Sequence, residues 1–107
     1  MVATRDWHAW LNTQPPPPDD LHVIGQVEVA NPGVVAFLVP SSPQGINPAI
    51  LMLELHLVQR PGFWPAVITW TPAHYDRVYP NAGDRPSQVS IMYGGNSIQN
   101  IPVDVVG

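Results

Sequence analysis

Residues 49–60 read Ala-Ile-Leu-Met-Leu-Glu-Leu-His-Leu-Val-Gln-Arg, and whether this stretch is helix or strand decides the fold. The signals for a helix are concrete: Asn47 can cap, Pro48 suits a first helical position, and Pro61-Gly62 would end it. Against them, Leu51, Leu53, Leu55 and Leu57 alternate strictly, which is the period of a strand with one buried face. On a helical wheel at about 100° per residue, Glu54 falls among Ile50, Leu51, Leu57 and Val58, where its carboxylate would be buried without a partner. A strand places the four leucines on one side and Ile50, Met52, Glu54, His56 and Val58 on the other, with Glu54 and His56 free to reach water. The stretch is therefore read as a strand.

Working outward, Leu21 to Val29 alternates in the same way, with Leu21, Val23, Val27 and Val29 on one side. Asn31-Pro32-Gly33 signals a turn, and Val34 to Val39 is a continuous apolar run suited to a strand covered on both faces. Pro40 to Pro48 reads as a loop. Arg60-Pro61-Gly62 turns the chain into a strand over Ala66 to Thr71, with Trp70 expected in the core, and Ala73 to Tyr79 reads as a further short strand or edge segment. A second loop follows from Pro80 to Pro86. Gln88 to Tyr93 and Ile98 to Val106 flank Gly94-Gly95-Asn96, residues that tolerate positive φ, and so predict a hairpin. Pro102 in the return strand predicts an edge or a bulge.

At the N-terminus, Thr4 can cap a short helix that sets Trp7, Trp10 and Leu11 on one face at i, i+3 and i+4. The prolines at 15–18 must end it and continue as a stiff extended spacer. Short alternating runs punctuated by Pro and Gly predict a mainly all-β protein, a two-sheet antiparallel β-sandwich of immunoglobulin-like or related architecture with a short N-terminal helix. On this reading residues 1–18 form a helical arm and polyproline spacer, and residues 19–107 form the sandwich.

Composition narrows the function classes. The 107 residues include no cysteine, so disulfides and thiolate chemistry are excluded. Charged residues make up 11% of the chain, against about 25% in an average globular protein. Lysine is absent, and the arginines at 5, 60, 77 and 85 are scattered in a chain of net charge −4, which argues against nucleic-acid binding. No apolar run approaches the ~20 residues of a membrane span, and no signal peptide is evident, so the cytoplasm is the default compartment. So little charge beside four tryptophans points to a surface covered by a protein partner or by another copy of the chain.

The residues with chemical potential fall into two sets. His74 and Asp76 lie at i, i+2, as do Glu54 and His56, and two such pairs on neighbouring strands would supply metal ligands. Polar strand faces account for the same pattern without a metal, and no cofactor is expected. Nothing resembles a nucleophile elbow or a phosphate cradle. Phe63, Trp64 and Tyr79, together with Trp7 and Trp10, are the candidate contact residues, since exposed aromatics anchor interfaces. The leading expectation is a non-catalytic β-sandwich module that binds protein or self-associates. A carbohydrate-binding module using the same aromatics is the alternative, and a metal-dependent enzyme built on Glu54, His56, His74 and Asp76 is third.

Overall fold

The computed structural model describes residues 2–13, 18–42, 44–80 and 85–106. Seven strands make up its regular structure: β1 (Thr4–Asn12), β2 (Asp19–Val29), β3 (Val34–Pro40), β4 (Ile50–Gln59), β5 (Thr69–Tyr79), β6 (Gln88–Tyr93) and β7 (Asn96–Val106). They form one mixed sheet in the order β3-β4-β6-β7-β1-β2-β5. Because β3 also runs alongside β5, the sheet nearly closes into a barrel.

The deciding stretch is a strand. Leu51, Leu53 and Leu55 of β4 are buried, Leu57 is partly buried against the same core, and His56 and Val58 are exposed. β2 carries the opposing wall, with Leu21, Val23, Val27 and Val29 all buried. Leu11, Leu21, Leu53, Ile91, Val23, Val27 and Val89 have essentially no solvent contact, and each contributes about 1.5–3 kcal/mol by burial. The hairpin at Gly94-Gly95 has φ of 60° and 83°, so its two-residue loop twists in the sense that matches the flanking strands.

The expected antiparallel two-sheet sandwich is not what forms. β7 pairs antiparallel with β6 as far as Pro102, then parallel with β1 from Val103 to Val106. One strand thus joins what would have been two separate sheets. Pro102 stands at the changeover of partners, where a missing N–H costs least, and not on an edge strand. A second parallel pair, β4 with β6, makes the sheet mixed.

The expected N-terminal helix is absent. Residues 4–12 are strand β1, hydrogen-bonded between β7 and β2. Trp7, Ala9 and Leu11 face the interior, an alternation that competes with the i, i+3, i+4 pattern and wins because β1 has a partner on each side. A bulge between Arg5 and His8, with Asp6 at φ 58°, sets that phase. Residues 14–17, with most of the proline run, lie outside the described residues.

Two further expectations are corrected. β3 is covered on one face only: Ala36 and Leu38 are buried, whereas Phe37 and Val39 are exposed. The strands expected at 66–71 and 73–79 are one strand, β5, paired with β2 along its whole length. Trp70 lies on the outer side of β5 opposite Glu28, beneath the Arg5 guanidinium at 3.9 Å from the ring centroid, and not in the core.

The registers define two ends. One carries the 30–33 turn, residues 60–68 and the 94–95 hairpin; the other carries residues 44–49, Pro80 and residues 85–87.

Candidate interaction surface

On the outer side β3 presents an apolar stripe, and β4 beside it is mixed. Val35 stands opposite Val58, Phe37 opposite His56 and Val39 opposite Glu54. Phe37 and Val58 are each 49% exposed. Two residues before Val35 on the same side is Gly33, where a Cβ would overlap the indole of Trp64. The glycine therefore lets the Trp64 ring lie on the sheet and extend the stripe. From Gly33 to Val39 the stripe runs about 20 Å.

Trp64 is held there by its own loop. Its Nε1 donates to the Arg60 carbonyl at 3.0 Å, the Arg60 guanidinium lies 4.9 Å from the ring, and the Arg60 N–H donates to Gly33 O at 2.9 Å. Asn31 Oδ1 accepts the Gly33 N–H at 2.9 Å, the Asx geometry expected of Asn-Pro-Gly. The neighbouring Phe63, at 106% of its reference exposure, touches nothing, and Val67 and Ile68 are also exposed. Between Arg60 and His74 the chain has no charged residue.

The outer side of β7–β1–β2–β5 has the opposite character. Trp10 of β1 stands between Asp104 of β7 and His22 of β2, and His22 stands opposite Asp76 of β5. The Trp10 ring has the His8 imidazole at 5.0 Å and the His22 imidazole at 5.2 Å. His8 Nε2 lies 2.9 Å from Asp104 Oδ2, His22 Nδ1 2.6 Å from Asp76 Oδ1, and His74 Nε2 4.0 Å from Asp76 Oδ2. His8, His22 and Asp104 were not among the expected site residues. Their contacts span 96 and 54 residues of chain, so only the strand order reveals them.

The other expected site residues are dispersed. Tyr79 is buried at 5% exposure opposite Asp19, at the end of the barrel away from Phe63 and Trp64, so these aromatics share no platform. Trp7 packs inward against Gly25 within its own chain. Glu54 and His56 lie on β4, and His74 and Asp76 on β5, two strands that are not neighbours in the sheet. Among the described residues no group of three or more His, Asp or Glu side chains is placed to hold a metal ion. The His–Asp pairs have no serine or threonine hydroxyl hydrogen-bonded to them among the described residues, so no nucleophile is set up there.

Fold and surface together define a small, mixed, nearly closed β-barrel with one polar, histidine-rich outer side and another that carries an apolar stripe along β3. No protein-family model matches the chain, and no curated protein or solved structure shows significant similarity to it. Among the described residues no helix is long and apolar enough to cross a membrane.

Proposed function

We propose that this chain is a non-catalytic binding module that self-associates through the outer side of β3–β4, with Trp64, Val35, Val58, Phe37 and Val39 forming the contact. The observation that carries the reading is the half-covered β3. Val34 to Val39 is apolar at every position, the pattern of a strand with cover on both sides, yet the single chain buries Ala36 and Leu38, covers Val34 and Val35 in part, and leaves Phe37 and Val39 exposed. A second copy presents a stripe of the same character and supplies the missing cover by two-fold symmetry. Sheet faces pack about 10 Å apart with their strands nearly aligned, and the exposed valines and Phe37 are of the right kind to interdigitate there. Low charge and the absence of lysine support the same conclusion, because a surface short of charge is poorly suited to a free monomer.

Light scattering on a sizing column tests this across concentration. The wild-type chain is expected to reach twice its 11.7 kDa mass as concentration rises. Phe37→Ser combined with Val58→Thr is expected to remain at 11.7 kDa with unchanged circular dichroism, since both side chains are already half in water. A wild-type chain that stays monomeric at about 1 mM, the weak limit of useful affinity, would overturn self-association. So would a double variant that associates as strongly as wild type.

A further inference from the structure

At the end of the barrel opposite Trp64, a cleft of about 640 Å³ opens between the loop at 44–50 and the last residues of β5. Among the described residues Arg77 is the only charged one in its lining. The register places Arg77 opposite the buried Leu21, between Tyr75 and Tyr79, but near the end of β5, where its side chain is exposed at the mouth of the cleft. Its guanidinium lies 4.8 Å from the Tyr79 ring, and among the described residues no carboxylate lies within 4.0 Å of it. Arg5 and Arg85 have carboxylate partners, Asp6 at 3.6 Å and Asp19 at 3.0 Å. An exposed arginine held against an aromatic ring at the mouth of a cleft, with no carboxylate beside it among the described residues, is placed to receive an anion that enters the cleft.

The opposite wall is built in advance. Gln44 Nε2 donates to Met52 O at 3.0 Å, Gln44 Oε1 accepts the Met52 N–H at 2.9 Å, and Ser41 N donates to Met52 O at 2.9 Å. Asn47 Oδ1 accepts the Ala49 N–H at 3.0 Å, which fixes the amide group of this exposed side chain in the lining of the cleft. Ile46, Pro48, Ile50 and Pro86 supply an apolar lining.

We propose that this cleft binds a small organic carboxylate, with the anionic head on Arg77 and Asn47 and a compact hydrocarbon body against Ile46, Pro48, Ile50 and Pro86. The size falls within the 300–1,000 Å³ of ordinary ligand sites, and a mostly apolar lining with a few placed polar groups is their usual chemistry. A free carboxylic acid and the C-terminal carboxylate of a peptide present the same head. The proposal is independent of self-association, because none of Trp64, Val35, Val58, Phe37 and Val39 lines the cleft.

Titration of the full chain with hydrocinnamate, followed by amide NMR shifts, is the test, with hydrocinnamamide as the uncharged control. The acid is expected to shift the signals of residues 46–50 and 77–79, and the amide to bind about tenfold more weakly or worse. Arg77→Gln is expected to weaken acid binding by about tenfold or more, and Arg77→Lys to retain part of it. Asn47→Asp, which sets a carboxylate beside the head, provides a second variant at an exposed position and is expected to weaken binding comparably. Acetyl-Ala-Ala-Phe with a free carboxyl separates the sources: tighter binding than hydrocinnamate assigns the site to peptide termini, and weaker binding assigns it to free acids. Equal affinity for acid and amide, an Arg77→Gln variant that binds like wild type, or no shifts up to about 10 mM acid would each overturn the proposal.

Discussion

The indole of Trp7 occupies the space in which a side chain on Gly25 would stand. The two residues face each other across β1 and β2, next to the bulge at Asp6, and Gly25 is itself buried. The ring thus does the packing that a larger residue on β2 would do. Its Nε1 is buried with no hydrogen-bond acceptor among the described residues. The glycine φ is not in the positive region, so alanine is excluded by the ring and not by the backbone.

A double-mutant cycle follows from this contact. Gly25→Ala alone is expected to cost about 1–3 kcal/mol in a urea melt, the range for forcing an extra carbon into a packed site. In a Trp7→Ala background the same change is expected to be nearly neutral, giving a coupling energy above about 1 kcal/mol. Trp7→Phe is expected to be tolerated within about 1 kcal/mol, because the unpaired donor is removed along with part of the ring. Independent, additive effects of the two positions would show that the ring moves aside and that the contact does not determine the site.

Gln44 acts toward Met52 as a strand residue would, with its side-chain amide replacing a backbone pair. The expected consequence is local. Gln44→Ala should raise the hydrogen-exchange rate of the Met52 amide by about tenfold or more, while global stability falls by only about 1 kcal/mol. Gln44→Glu keeps an acceptor for that amide and is expected to preserve most of its protection. Unchanged exchange in Gln44→Ala would mean that the adjoining strand, and not Gln44, holds the loop.

Much of the barrel was legible because its signals are local. In β4 large aliphatic residues alternate without interruption, in β2 they do so but for Gly25, and both strands form where the pattern puts them. β1 carries the same alternation at Trp7, Ala9 and Leu11, but its middle residue is small and the Asp6 bulge breaks the phase upstream, so the helical spacing of Trp7, Trp10 and Leu11 stood out. The closure was not legible. It depends on β7 pairing with β1 through Ala9 and Val103, and neither residue records the distant partner that it meets. The resting place of Trp64 was hidden for a similar reason, since it requires the bare backbone of Gly33 to lie beneath it. In β3 the sequence calls for two covered faces, and that the single chain covers one is itself the functional clue.

The Gly94-Gly95 loop has positive φ at both residues and open space around each. Backbone conformation, not crowding, is what restricts substitution. Gly94→Asn is expected to be tolerated within a few tenths of a kcal/mol, because Asn-Gly favours the same turn. Gly95→Val is expected to cost about 1–2 kcal/mol, the penalty of holding a bulky residue in the left-handed region. Thermal melts of the two variants provide the comparison, and equal losses would mean that the hairpin adopts another turn.

The histidine-rich side invites the assumption that its His–Asp pairs hold β1, β2 and β5 together, and their exposure argues otherwise. His22 and Asp76 side chains are 35% and 58% exposed, so water screens the pair even at 2.6 Å. A pair of this kind typically couples by about 0.2–1 kcal/mol. The strands beneath it already share a continuous ladder from Asp19–Tyr79 to Val29–Thr69. With His22 protonated, Asp76→Ala is therefore expected to lower stability by less than about 1 kcal/mol, with most of that loss vanishing at 1 M salt, where the screening length is only about 3 Å. His22→Ala is expected to cost more than Asp76→Ala, because it also removes the imidazole that lies 5.2 Å from the Trp10 ring, a contact that salt leaves intact. A larger, salt-insensitive loss on Asp76→Ala would mean that the carboxylate positions His22 and His74 as a unit, and this side would then merit a ligand search of its own.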